Sequence, residues 1–367
     1  SDVGEGLLEG TFDFQTVFRN LAQIFSRYHP EFAARLNLPA ADSAQLTDNY
    51  SPHLNIRNTR GLTKLISSDL DTLRNISING AVNARQGTSS LRISAPYLRY
   101  NGFALSGTEL LWEGAGEDAM LHLSIPNSVV SKTILPPILL DGFLTSNELH
   151  FKLTARDTNR IVKGVNFDGV LSTVDSLWQI KFNASEIALF NDNWAMNEEN
   201  YIRFAKNYLV TKDFELFNGD QRILLDSFNL GKGLSLSLTN FDLNFLNRFV
   251  NPKKINYRGK IYDFDVKISD VFNMRGINTY LTTDTVFINN VPYGDVTGNF
   301  EMAHLSAPLW YKAFLNYDDR QLRVAGAWIP PKGSPELVEE AEMTIHPGEF
   351  AAQVNARNFP LAVLETF

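Results

Sequence analysis

The chain has 367 residues, 44% of them hydrophobic and 20% charged, which is the composition of folded protein with material for a sizeable core. A formal net charge of −8 without clustered Lys and Arg argues against nucleic acid as a partner. Zero cysteines remove disulfides, thiolate metal sites and cysteine nucleophiles, and favour an oxidising compartment such as the periplasm.

No run of about 18 apolar residues is present, so no helical membrane span is expected. Ser1 does not open a signal peptide, and Asn358 to Phe367 read as the start of another element. The expectation is a fragment of a longer protein.

In chain order, the first element is a helix over Phe14 to Leu36. Phe14, Val17, Phe18, Leu21, Ile24, Phe25 and Tyr28 recur at three- and four-residue spacing on one stripe. Pro30 should kink it or end its first half, because proline donates no backbone hydrogen bond and clashes with the preceding turn.

From about Leu54 the period changes to two. Leu91, Ile93 and Ala95 alternate with polar residues, as do Leu121, Leu123 and Ile125, and Leu149, Phe151 and Leu153. Trp178, Ile180 and Phe182 follow, then Leu234, Leu236 and Leu238, then Tyr262, Phe264, Val266 and Ile268, then Leu322, Val324 and Trp328. Arg92, His150, Lys152, Lys181, Asp265 and Lys267 fill alternate positions, so each strand has a greasy and a wet face. Asn79-Gly80, Asn101-Gly102, Asp141-Gly142, Asp168-Gly169 and Asn218-Gly219 are expected as tight turns between about twenty antiparallel strands.

A degenerate repeat links Ser237 to Leu246 with Asn355 to Leu364, and more faintly with Ile56 to Ile66. Each copy reads as a strand that turns into a short helix at an Asn able to cap backbone N–H groups. Repeats of this kind suggest an elongated, largely antiparallel sheet growing along one axis. The expected division is a helical segment over 1–50, a first groove module over 51–235, a second over 236–353 and the start of a further one over 354–367.

Chemistry is sparse. His29, His53, His122, His150, His304 and His346 lack metal-ligand spacing, and His122 and His150 sit on the polar side of their strands. Asp192 with Glu198 and Glu199, Asp318 with Asp319, and Glu336 with Glu339 and Glu340 read as exposed turns and a charged helix rather than acid–base pairs. Gly4-Glu5-Gly6 and Gly231-Lys232-Gly233 are too short for phosphate loops. No catalytic residue, metal or cofactor is expected. The aromatic surplus, 26 Phe, 12 Tyr and 5 Trp, points elsewhere: a long sheet with little helix must close, pack on another sheet or curl around something apolar.

The motifs Asp175-Ser176-Leu177-Trp178-Gln179-Ile180, Asn193-Trp194, Asn200-Tyr201-Ile202-Arg203-Phe204 and Asn218-Gly219-Asp220-Gln221 resemble those of TamB-like proteins of Gram-negative bacteria, in the AsmA superfamily. Asn240 to Leu246, Gly259, Val286 to Asn290, Tyr293-Gly294 and Gly298 resemble the strand-and-short-helix repeat of that family. The resemblance covers most of Leu54 to Phe367.

It implies a curled sheet, or β-taco, crossing the periplasm from an N-terminal inner-membrane anchor toward a TamA-like outer-membrane barrel protein. Phospholipid acyl chains would travel in its groove, and outer-membrane protein assembly is the family's other role. The expected lining is Leu91, Ile93, Leu149, Phe151, Leu153, Trp178, Ile180, Phe182, Leu234, Leu236, Leu238, Phe264, Val266 and Ile268. A chaperone-like platform that binds barrel strands by β-augmentation and a structural β-solenoid are the alternatives.

Overall fold

A computed structural model describes residues 4–12, 17–40, 48–58, 70–101, 103–130, 133–156, 162–189, 192–248, 255–338 and 343–359. Among the described residues the protein is mainly β, with an open antiparallel sheet that does not close into a barrel and two α-helices. It falls into two compact units, Ser1–Glu199 and Asn200–Phe367.

The first unit opens with strand β1 (Gly4–Thr11), helices α1 (Val17–Tyr28) and α2 (Pro30–Arg35), and strands β2 (Asn49–Asn58), β3 (Leu70–Asn83) and β4 (Thr88–Tyr100). It continues through β5 (Phe103–Ala115), β6 (Asp118–Ile125), β7 (Asn127–Val130), β8 (Thr133–Leu135), β9 (Ile138–Thr145) and β10 (Glu148–Arg156). Strands β11 (Val162–Val174), β12 (Leu177–Phe182), β13 (Glu186–Leu189) and β14 (Asp192–Met196) complete it. Strands close in sequence pair antiparallel, so the unit is a meander.

The break at Pro30 is present. His29 leaves the helical region at φ −132° and ψ 63°, and Pro30 opens α2 at a position where its missing N–H is not needed. Phe14 lies outside the described residues. Strand β1 was not legible as a strand: Gly4-Glu5-Gly6 lies within it, paired with Leu54 to Ile56 of β2.

Strands among the described residues outnumber the expected twenty in part because two are divided at prolines, β6 from β7 and β8 from β9. Asn75 of β3, Pro96 of β4, Gly107 of β5, Pro126 between β6 and β7, and Pro137 between β8 and β9 fall at one level, as the flanking pairs Arg74↔Tyr97, Tyr97↔Ser106, Ser106↔Asn127 and Ser128↔Leu135 require. Asn75 and Gly107 take positive φ, 51° and 72°, and the prolines have no N–H to give the ladder. The row runs from β3 to the β8–β9 junction, and along it the regular ladder is interrupted.

Three dipeptides expected as turns lie inside strands: Asn79-Gly80 in β3, Asp141-Gly142 in β9 and Asp168-Gly169 in β11. Glycine serves there by its size. A Cβ on Gly169 would stand 2.6 Å from the Lys181 carbonyl oxygen and 2.8 Å from the Phe151 ring. The turns are made instead by Ser146-Asn147 and Asp175-Ser176, all four at positive φ as type I′ hairpins demand. Asn101 and Gly219 do lie in turns, as expected.

The second unit carries β15 (Tyr201–Ala205), β16 (Tyr208–Lys212), β17 (Phe214–Asn218), β18 (Gln221–Phe228), β19 (Gly233–Asp242), β20 (Tyr257–Arg258), β21 (Lys260–Asp270) and β22 (Arg275–Thr283). It ends with β23 (Val286–Ile288), β24 (Val291–His304), β25 (Leu309–Tyr317), β26 (Arg320–Trp328), β27 (Glu336–Val338), β28 (Met343–Ile345) and β29 (Phe350–Arg357). Its tightest core gathers Ala327, Ile329, Ile345 and Ala351 with Trp310.

The repeat has a structural counterpart. Asn240 at the end of β19 has φ 55° and donates from Nδ2 to the Asp220 carbonyl at 3.3 Å, in the β17–β18 turn. Asn358 after β29 has φ 51° and donates to the Asp319 carboxylate at 3.0 Å, in the β25–β26 turn. Each Asn turns the chain and ties it to the hairpin one strand back. Capping falls to another residue: Asp242 accepts from the Asn244 N–H at 2.8 Å, opening the 3-10 helix Leu243–Arg248. Leu62 to Ile66 and Leu361 to Leu364, in the other copies, lie outside the described residues.

Candidate apolar track

Directly paired residues share a face, so the registers define transverse rows. In the first unit one row runs Leu54, Ile78, Ile93, Leu110, Leu123, Leu140, Leu153 and Phe167 across eight strands. The next runs Gly80, Leu91, Trp112, Leu121, Gly142, Phe151, Gly169 and Phe182, with glycines making room beside large side chains. A third runs Val82, Ser89, Gly114, Ala119, Leu144, Leu149, Leu171 and Ile180, and Trp178 stands one row further, opposite Thr173.

The second unit repeats the arrangement. Leu216, Ile223, Leu238, Phe264, Leu281, Gly298, Ala313, Val324 and Val354 make one row. Leu225, Leu236, Val266, Thr279, Phe300 and Tyr311 make a second, and Leu234, Ile268, Ile277, Met302, Leu309 and Trp328 a third.

Within each unit, the fourteen residues expected as lining therefore fall on the apolar face. Thirteen are half-buried and Phe182 is buried. Trp178, Ile180 and Phe182 keep to that face despite the irregular stretch that follows. Rows of this kind keep part of their hydrocarbon in reach of a ligand, and burying it stabilises by about 0.8 kcal/mol per CH₂.

One track residue is displaced. The ladder shifts between Ile261 and Asp263, so a β-bulge puts Ile261, not Tyr262, in the buried position. Ile261 is 7% exposed and pairs with Phe241, whereas Tyr262 is 44% exposed. Phe264, Val266 and Ile268 continue the face regularly from there.

The other face is polar but not uniformly so. In the first unit Asn79, Arg92, Leu111, His122, Asp141, Lys152 and Asp168 form a row on it. Met120 and Phe143 are exposed there beside a shallow depression of about 540 Å³. His122 Nδ1 lies 2.6 Å from Asp141 Oδ1, both side chains solvated, and His150 Nε2 lies 3.6 Å from Glu148. Asp192, Glu198 and Glu199 are exposed, and Asp318 and Asp319 form a hairpin turn. Glu339 and Glu340 lie outside the described residues. Among the described residues no three His, Asp or Glu side chains gather as a metal site would need.

Part of the apolar face is already covered. Phe32 of α2 is buried against Ala119 and Leu144, with Leu149, Leu171 and Trp178 around it, and Phe25 of α1 approaches Trp112. Tyr28 of α1 packs with Ile24, Tyr50, Val82 and Ala84. The helical stripe signalled that α1 would bury one side, but nothing in its spacing names the strands beneath. Leu149 and Trp178, expected as groove lining, pack against the cluster that seats Phe32 of α2.

Three residues carry weight that sequence reasoning did not assign to them. Trp194, 1% exposed in β14, and Asn200, fully buried at the start of the second unit, lie in the interior, a burial that the motifs naming them did not signal. His29, 2% exposed between α1 and α2, was read only as one of six scattered histidines; burial holds its imidazole below the ordinary value, against the pull of Glu117 and Asp118. Comparison with protein-family models, curated proteins and solved structures finds no match.

Proposed function

We propose that this chain is a segment of a bridge-like lipid-transfer protein of TamB type, binding phospholipid acyl chains along its apolar face and catalysing no reaction. The observation that carries the reading is the run of transverse rows, one of them unbroken over eight strands in the first unit and repeated in the second, most of whose apolar side chains are half-buried. Hydrocarbon held there needs no directional contact, so an acyl chain can pass from row to row without a deep minimum to stop it. Polar groups on the opposite face keep the sheet in water. In the full protein, the track would connect an inner-membrane anchor with a TamA-like barrel partner across the periplasm.

A second reading has one observation in its favour. Among the described strands β29 pairs along one side only, with Phe350 and Val354 exposed, and an unpaired edge can accept a client strand by β-augmentation.

Native mass spectrometry of the purified chain, followed by lipid extraction, separates these. Co-purifying phospholipid supports transfer; peptide adducts with no lipid support the strand-binding reading and overturn the first.

A further inference from the structure

The pair α1–α2 lies along the hairpin rim of the first unit and touches four consecutive turns. Tyr28 packs on Gly87 in the β3–β4 turn and Gly116 in the β5–β6 turn, where a Cβ would stand 2.3 Å and 3.9 Å from its ring or hydroxyl. The Glu31 N–H donates to Asn147 Oδ1 at 3.2 Å in the β9–β10 turn. Arg35 donates to the Ser176 carbonyl in the β11–β12 turn, and Thr173 donates to the Glu31 carboxylate.

Along this strap, Phe32 does what a bound acyl chain would do. It rests on Ala119, Leu144, Leu149, Leu171 and Trp178, side chains of the third row and its neighbour and so part of the apolar face. Its hold is modest. In α2 only Phe32 and Ala33 are buried, the tethers to Asn147, Thr173 and Ser176 are exposed, and His29 at the junction buries an Nδ1 with no hydrogen-bond partner among the described residues. A short helix on exposed tethers belongs to the low-stability end of a structure, where local opening precedes global unfolding.

We propose that α2 is a displaceable occupant of the track: Phe32 fills the third row when no lipid is present, and an acyl chain entering that row lifts α2 off its seat. This rests on the acyl-binding reading above and adds to it a competition between the chain's own helix and its ligand.

The test uses the whole chain with Ala119→Cys, the sole thiol in a protein that has none of its own. Ala119 is 2% exposed beneath Phe32, so a thiol reagent reaches it when α2 lifts. A fluorescent fatty acid, whose emission reports its own binding, is titrated while the labelling rate is followed. The expected result is saturable fatty-acid binding with labelling accelerated about tenfold or more, at denaturant-free conditions where the melt is unchanged. Binding with an unchanged labelling rate overturns the competition and leaves the acyl-binding reading standing. No binding and no acceleration overturns both. Phe32→Ala serves as the second variant: with the plug removed, labelling should be fast before any fatty acid is added, and slow labelling there contradicts α2 as the cover.

Discussion

Phe32 and Trp178 meet edge to face, ring centroids 5.1 Å apart at 69°, joining a six-residue helix to a strand over 140 residues further along the chain. The contact ties α2 to the apolar face of the first unit. It also places an aromatic side chain where the account puts hydrocarbon.

A charge on the track should stop lipid without unfolding the protein. Phe264 and Val266 are half-buried between Leu238 and Leu281 and between Leu236 and Thr279, so Phe264→Asp or Val266→Arg can still reach water. An acyl chain crossing that site loses about 0.8 kcal/mol per CH₂ left wet, and several methylenes suffice to halt it. The expected outcome is a melt close to that of the parent with lipid loading largely lost. An unfolded variant would mean a sealed core, since an unpartnered buried charge costs several kcal/mol.

The bulge in β21 makes neighbouring residues unequal. Ile261→Asp puts a carboxylate into a buried site beside Phe241 and should cost several kcal/mol in chemical denaturation. Tyr262→Asp, on an exposed residue, should stay within about 0.5 kcal/mol of the parent. Equal effects would contradict the register shift.

Asn240 holds φ 55° and bonds the β17–β18 turn. Asn240→Gly keeps the conformation and loses only the side-chain bond, about 1 kcal/mol. Asn240→Val adds the strain of a β-branched residue at positive φ and should cost about 1–2 kcal/mol more, read from denaturation midpoints.

Acid should loosen α2. His29 is neutral when docked because burial pushes its imidazole below the ordinary 6.5, Glu117 and Asp118 opposing. For a lowered folded value, the docking stability is complete above pH about 6.5 and is lost as pH falls from there toward the folded value, by at most about 1.4 kcal/mol per pH unit. The protection factor of the amides from Ala33 to Leu38, with the hydroxide-catalysed intrinsic rate divided out and under conditions far from global unfolding, should therefore fall between pH 6.5 and pH 5, and His29→Phe should flatten the dependence. A protection factor independent of pH in the parent would contradict it.

Much of the fold was legible because two signals are strong in this chain. Alternation from Leu54 onward gave the strands and their faces, and Pro30 gave the helix break, since both follow from backbone geometry alone. The turns were harder. Gly142 and Gly169 look like turn glycines locally, yet their reason is a neighbour on another strand, Leu149 or Phe151, which no local pattern contains. Tyr262 was misplaced for a similar reason: the register shift between Ile261 and Asp263 leaves it exposed and leaves no mark in the alternation. The seat of Phe32 depends on contacts over more than 80 residues and was invisible.

The central claim, that hydrocarbon lies along the apolar face, is tested most directly by site-specific photocrosslinking in cells. A photoreactive phenylalanine analogue at Phe264 and, separately, at the adjoining Asp265 places the same probe on the two faces of one strand. The account predicts phospholipid adducts from position 264 and none from position 265. Lipid adducts from both positions alike, or protein adducts alone from position 264, would contradict it.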